Sequence, residues 1–180
     1  MLLQEFYAKQ ACDEIGLKNP NIKINHSNGI TIINGETYGI VFPKSLINYC
    51  KNLWSDRKNK YYFKGIIKKN RQWIKNYSNV HESNRGRNKN LKYTLDKDYY
   101  KSLAQTQFSL SPIGECPWSY RFFESIACGA IPILGDKDVD LFAKDYKFFR
   151  HSDCKVYDTK DANYNFEILL EKVTLKNTYK

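Results

Sequence analysis

Apolar and polar positions along the chain alternate in short blocks that change period several times. Leu2, Leu3, Phe6, Cys12 and Ile15 recur at helical spacing and predict an amphipathic helix over about 3–15, stopped at Gly16. Lys18 to Asn28 reads as a loop with a short strand. Ile30 to Ile33 and Tyr38 to Phe42 are β-branched and aromatic runs on either side of Asn34-Gly35, a hairpin dipeptide, and Pro43 ends the second run. Ser45 stands where it would cap a helix over 46–54, with Leu46, Tyr49, Cys50 and Leu53 on one face. Tyr61-Tyr62-Phe63 predicts a compact strand and Arg71 to Tyr77 a helix. His81 to Leu91 (HESNRGRNKNL) predicts an exposed polar loop, and Asp98 to about Thr106 a helix.

The next stretch, Phe108 to Gly135, holds a half-turn of an α/β layer in under thirty residues. An apolar run, Phe108 to Leu110, breaks at Pro112, Gly114 and Pro117. A helical pattern runs from Ser119 to Gly129, and a second apolar run covers Ile131 to Leu134. Beyond it, 139–149 predicts a short helix with an irregular aromatic segment, Lys155 to Tyr157 a last strand, and Asn163 the cap of a final helix. Strands alternating with helices after residue 60 predict an α/β fold with a largely parallel sheet, preceded by an N-terminal hairpin and helix region.

Composition adds a partner class and removes several others. The formal net charge is +10 on 180 residues, which favours anionic ligands, although a Lys- and Asn-heavy surface is also simply well solvated. The five cysteines (12, 50, 116, 128 and 154) show no CxxC spacing, and their odd number argues against a complete disulfide framework. Cys12 and Cys128 fall in apolar helical context and read as small core residues. The three histidines lack metal-site spacing. The N-terminus mixes charges into its apolar positions and resembles neither a signal peptide nor a membrane span, so a soluble, cytoplasmic protein is expected.

The helix after Pro117 carries the candidate chemistry. Ser119 reads as its N-cap, and its free N–H groups and partial positive charge suit a phosphate. Arg121 adds a planar bidentate donor, and Glu124, one turn on, has the acceptor geometry for both hydroxyls of a ribose. The same spacing also describes a surface ion pair worth at most about 0.5 kcal/mol. The aromatic cluster Tyr61, Tyr62, Phe63, Trp73 and Tyr77 fits core packing better than a base-stacking surface. Arg85, Arg87 and Lys89 stand in the polar loop, either solvated, guiding an acidic acceptor or closing over the donor.

Three pieces recur here in the order of a known family: Phe108-Ser-Leu-Ser-Pro112-x-Gly114, then Ser119-x-Arg121-Phe122-x-Glu124-x-Ile126, then Gly129-x-Ile131-Pro132-Ile133. Together they resemble the signature of exostosin-like glycosyltransferases, with Phe63-Lys64-Gly65, Arg71 and Tyr99 as weaker upstream matches over roughly 61–149. Ser109, Ser125 and Ala130 depart from that pattern. The resemblance implies a Rossmann-like donor-binding half of a GT-B glycosyltransferase, inverting, without a metal or other cofactor, and using a nucleoside-diphosphate sugar, UDP-linked by preference. It implies one domain, with 1–60 as a reduced N-terminal region and 61–180 as the donor-nucleotide core. Arg121 and Arg71 would then bind the diphosphate, Glu124 the ribose, and Tyr99 the nucleotide. Gly114 would admit a close backbone approach, and Ser119 would open the helix beneath the phosphate. The expected partners are a nucleotide sugar and a glycan acceptor, with a protein partner or oligomer supplying the acceptor half; nucleic acid is not expected. No base is nominated, Asp136, Asp138 and His151 being merely available. A non-catalytic sugar-nucleotide or glycan module, a basic nucleic-acid-binding protein and a fucosyltransferase-like donor domain stand as alternatives.

Overall fold

A computed structural model describes residues 1–84 and 95–176. Its centre is a five-stranded, wholly parallel sheet made of β4 (Asn59–Gly65), β5 (Val80–Glu82), β6 (Thr106–Leu110), β7 (Ile131–Leu134) and β8 (Phe149–Arg150), in the order β5-β4-β6-β7-β8. The expected α/β fold with a parallel, Rossmann-like sheet flanked by helices is therefore present. Before it stands an antiparallel meander of β1 (Ile22–Asn25), β2 (Ile30–Ile33) and β3 (Glu36–Tyr38). Asn34 and Gly35 both take positive φ, 50° and 87°, as a type I′ hairpin turn requires.

Period-two alternation sorts the strand residues onto two faces. Phe63, Phe108, Leu110, Ile131 and Ile133 bury one face with Ile74 of a 3-10 helix (Lys69–Asn76). Tyr62 and Leu134 turn to the other face, under α2 (Lys44–Asn52), α3 (Lys97–Ala104), α4 (Tyr120–Ala127) and α5 (Thr159–Val173). The first helix, α1 (Leu3–Glu14), adds Tyr7 to that larger core and packs beside the meander. The aromatic cluster lies in these cores as expected, Tyr62 and Phe63 fully and Tyr61, Trp73 and Tyr77 in part. Cys12 and Cys128 are buried thiols, and no cysteine is paired.

Several local expectations fail for identifiable reasons. The second hairpin strand is 36–38; Ile40, Val41 and Phe42 are buried without joining the sheet, and the Phe42 amide bonds instead to Val173 O at 2.7 Å. Pro43, not Ser45, occupies the N-cap of α2, and the Ser45 hydroxyl bonds Glu14. His81 belongs to β5 rather than to a loop; residues 85–94, with Arg85, Arg87 and Lys89, lie outside the described residues. The helix over 71–77 is a 3-10 helix, and α3 is capped by Asp96, which accepts from the Tyr99 amide. The last strand is 149–150, fixed by pairing with β7, and 155–157 is irregular. Asp158 caps α5, accepting from the Lys160 amide, in place of Asn163.

Candidate active site

Strand order locates the site. The chain steps from β4 to β5 on one side and then crosses back to β6 on the other, so the order of strand addition reverses between β4 and β6. In an open parallel sheet, ligands occupy the crevice beyond the carboxyl ends of the strands at this reversal. Here that crevice is bounded by Gly65 with the segment after it and by the loop 111–119.

Two arginines enter this region from different elements. Arg121, in the first turn of α4, donates from Nη2 to Lys64 O at 2.6 Å and lies with its guanidinium carbon 4.4 Å from the Phe63 ring centroid. Its buried Nε has no hydrogen-bond partner among the described residues. Gly65 makes this approach feasible, since a Cβ there would stand 2.7 Å from Arg121 Nη2. Arg71, on the 3-10 helix, donates from Nε and Nη2 to Ile113 O at 3.2 and 2.9 Å, and from Nη1 to Ile66 O at 3.1 Å. Burial first, and the neighbouring Arg121 charge second, push the Arg71 pKa below its usual value. Two like charges held together against their repulsion form a ready counterpart to a dianion.

The loop between them is braced on each side. Gly114 donates its N–H to Trp118 O at 3.4 Å, and a Cβ at Gly114 would meet Arg71 Nη2 only at 3.8 Å. Ile113 N–H and Gly135 N–H both donate to Asp138 Oδ2, at 3.3 and 2.9 Å. Lys68 crosses to Glu115 at 2.5 Å, and that contact holds the exposed Glu115 carboxyl below its usual range. Ser119 occupies the N-cap of α4 with extended backbone, as expected, and its side chain makes no capping bond.

Glu124 departs most from a simple surface site. It is 1% exposed, and it accepts from Tyr99 Oη at 2.9 Å and from Tyr100 Oη at 3.1 Å. Tyr99 is fully buried, so its hydroxyl reaches Glu124 from within the core. Arg121 and Glu124 thus serve different partners. Ser109 and Ser125, two of the three departures from the exostosin-like pattern, fall into one buried hydroxyl chain: Ser109 Oγ lies 3.3 Å from Ser111 Oγ, which lies 3.3 Å from Ser125 Oγ. Ser125 in turn donates to Arg121 O at 2.5 Å, tying the chain to the first turn of α4.

The three available candidate bases are engaged as loop braces. Asp138 holds two amides as above, Asp136 Oδ1 accepts from Ser152 N–H at 2.9 Å, and His151 Nδ1 lies 2.8 Å from Tyr77 Oη. Burial pushes the Tyr77 phenol up to about 12. Among the described residues no cluster of His, Cys, Asp and Glu has the make-up of a metal site, and no helix is long and apolar enough to cross a membrane.

Sequence reasoning missed Arg57 and Arg150. Arg57 Nη1 points at the carboxyl ends of α3 and α4, 2.6 Å from Ala104 O and 2.8 Å from Cys128 O. Arg150 Nη1 grips Gly135 O and Asp138 O at 2.8 and 2.6 Å, and its Nη2 pairs with Asp140. Neither sits in a motif, because both bond carbonyls far away in sequence. Tyr100 was missed beside Tyr99, although helical spacing to Glu124's helix gave no signal for either hydroxyl.

The family model described as the RXYLT1 C-terminal domain matches residues 44–164, more than half of the chain. The chain belongs to the RXYLT1 C-terminal domain family. The match is wider at both ends than the motif-bearing region 61–149, and it contains α2 through the first turn of α5. An 84-residue stretch is 31% identical to a probable glucuronosyltransferase 47 A of Physcomitrium patens, covering 43% of this chain and 19% of that protein. The chain thus spans about a fifth of the length of that curated relative. Both findings agree with the exostosin-like motif: this RXYLT1-type domain is an exostosin-like C-terminal half.

Proposed function

We propose that the chain is the donor-binding half of an inverting, metal-independent glycosyltransferase, using a nucleoside-diphosphate sugar, UDP-linked, and a glycan hydroxyl as acceptor. The observation that carries this reading is the convergence of Arg71 and Arg121 at the sheet reversal between β4 and β6. The related probable glucuronosyltransferase adds support for glycosyl transfer as the reaction class.

In this reading the diphosphate lies between the two guanidinium groups, above the first-turn N–H groups that the Ser119 side chain leaves uncapped. The bare backbone of Gly114 approaches it from the loop. The acceptor oxygen attacks the anomeric carbon as the bond from that carbon to the diphosphate oxygen breaks. The electron pair leaves with the diphosphate, and the acceptor's proton passes to a base of the acceptor-binding half. Arg71 and Arg121 meet the charge that grows on the leaving group, a role a divalent cation fills in other enzymes. Glu124 takes the ribose hydroxyls, with Tyr99 and Tyr100 orienting its carboxylate. Since Glu124 is 1% exposed, nucleotide binding must also shift the 111–119 loop or the start of α4.

The test is calorimetric titration of the purified chain with UDP, GDP and a short oligonucleotide at moderate salt. UDP binding should fall by at least ~30-fold in Arg121→Ala, as expected for truncating one side of a charge pair worth about 2 kcal/mol or more. Glu124→Gln, which keeps an acceptor for the tyrosines, should weaken UDP but not inorganic diphosphate. If both variants stay folded and bind UDP like the parent, the pocket assignment is wrong. Steeply salt-dependent oligonucleotide binding, indifferent to both changes, would instead indicate a nucleic-acid protein.

A further inference from the structure

One ion pair crosses the crevice from bank to bank. Lys68, in the segment after β4, meets a carboxylate oxygen of Glu115, in the loop 111–119, at 2.5 Å. Among the described residues each of these side chains hydrogen-bonds to the other alone. Both are well exposed, 49% and 83% by side chain, so attraction rather than packing holds the pair. Exposed pairs of this kind are weakly held and yield to a stronger ionic partner.

Backbone geometry ties the lysine to the donor arginines. The Arg71 N–H donates to Lys68 O at 2.9 Å, closing the turn that carries both residues. From that turn Arg71 grips Ile113 O and Lys68 grips Glu115, two positions further along the same loop, with Gly114 between them. The Glu115 charge also acts on Arg71. Burial and the Arg121 charge lower the Arg71 pKa, and Asp138 and then Glu115 oppose that fall. These two carboxylates differ in their attachments. Asp138 is pinned by the amides of Ile113 and Gly135, whereas Glu115 has only Lys68.

We propose that Glu115 is a built-in competitor of the donor diphosphate: the diphosphate takes Lys68 from Glu115, and Lys68 becomes a third cation of the site beside Arg71 and Arg121. The inference rests on the donor-binding reading above for the identity of the anion. It also supplies a force for the loop shift that the burial of Glu124 requires, because the arriving diphosphate repels the Glu115 carboxylate. Exchange and bracing differ in sign. A bridge that only holds the loop in its binding shape makes either removal harmful. In an exchange, losing Lys68 removes a ligand, and losing the Glu115 charge removes a rival.

The test is calorimetric titration of the full chain with UDP, inorganic diphosphate and uridine at low salt, in the parent, Lys68→Ala, Glu115→Gln and Arg121→Ala. Glu115→Gln should tighten UDP and diphosphate about five-fold, and Lys68→Ala should weaken both about five-fold, the scale of one unit-charge contact in water. Uridine, which carries no phosphate, should not distinguish these two variants from the parent. Salt at about 0.5 M should shrink both shifts. Each change falls on an exposed side chain and should leave the melting temperature nearly unaltered, so a lost fold does not stand in for a lost ligand. UDP weakened in both variants, or altered in neither, overturns the exchange. If Arg121→Ala still abolishes UDP binding in that case, the donor site stands without it. A parent and a Glu115→Gln variant that both fail to bind UDP and diphosphate overturn the exchange and the donor site together. Binding that emerges only in Glu115→Gln upholds the exchange. Opposite shifts in a chain whose UDP binding ignores Arg121→Ala uphold it too, and sink the pocket centred on Arg121.

Discussion

Removing the Arg57 guanidinium should unfold more of the protein than any substitution in the crevice. Every α-helix leaves its last carbonyls without internal partners, and two helices end side by side at this one side chain. The two short contacts, to Ala104 O at 2.6 Å and Cys128 O at 2.8 Å, are bonds from a charged donor, worth about 1.5–3 kcal/mol each. Longer contacts to Leu103 O and Thr106 O, at 3.4 and 3.3 Å, share the same nitrogen and add little. A cation at two helix carboxyl ends contributes a further ~0.3–1 kcal/mol per end, partly counted already in the bonds. Arg57→Ala should therefore cost about 4 kcal/mol, a large share of the 5–15 kcal/mol typical of a domain. Urea denaturation followed by tryptophan fluorescence measures it directly, provided the slope with denaturant is unchanged. Arg57→Lys keeps the charge without the fork and should recover about half of the loss. A cost below about 1 kcal/mol for Arg57→Ala, or an equal cost for both variants, would refute the reasoning.

Two further outcomes follow from geometry already described. Gly129→Ala should lower the melting temperature sharply, because φ is +77° and the new Cβ would clash with Arg57 Nη2 and stand 2.7 Å from the Trp54 ring; a cost under about 1 kcal/mol in calorimetry would contradict it. Acid should destabilise the fold gradually. Hydrogen bonds from Lys68, from the Ser152 backbone and from Lys172 hold Glu115, Asp136 and Asp145 below the usual carboxylate range, so their stabilisation is complete above that range. It fades as pH falls through the lowered folded-state values, and carboxyl NMR titration should show all three protonating later than free carboxylates.

Much of the sheet was readable because its strands are short apolar runs cut by proline and glycine. Phe108 to Leu110 and Ile131 to Leu134 announced β6 and β7, and Ser119 to Gly129 bracketed α4 to within a residue or two. Gly129 ends that helix in a Schellman arrangement, with Ala130 N–H on Ser125 O and Gly129 N–H on Ile126 O, which the local pattern signals well. Ile40 to Phe42 misled because burial and strand pairing are different properties, and only the distant Val173 decides where the Phe42 amide bonds. Arg121 and Arg71 were legible as motif residues, whereas their meeting at one crevice depends on the order β5-β4-β6, which no single segment encodes. Glu124 was legible as a polar residue in an apolar helix; its burial under Tyr99 and Tyr100 was not, because α3 crosses α4 only in three dimensions.

The bond from Phe42 N–H to Val173 O, 2.7 Å long, bears on how the protein is made. It joins residues 131 positions apart, across a core that α5 completes with Phe166, Leu169 and Val173. On the ribosome, the meander and the first strands of the sheet emerge long before their covering helix does. Until α5 follows, the apolar faces of Ile40, Phe42 and α4 stay open to solvent or to a chaperone. Folding should thus finish late in synthesis and in one concerted step, with nascent chains arrested before residue 159 aggregating or remaining protease-sensitive.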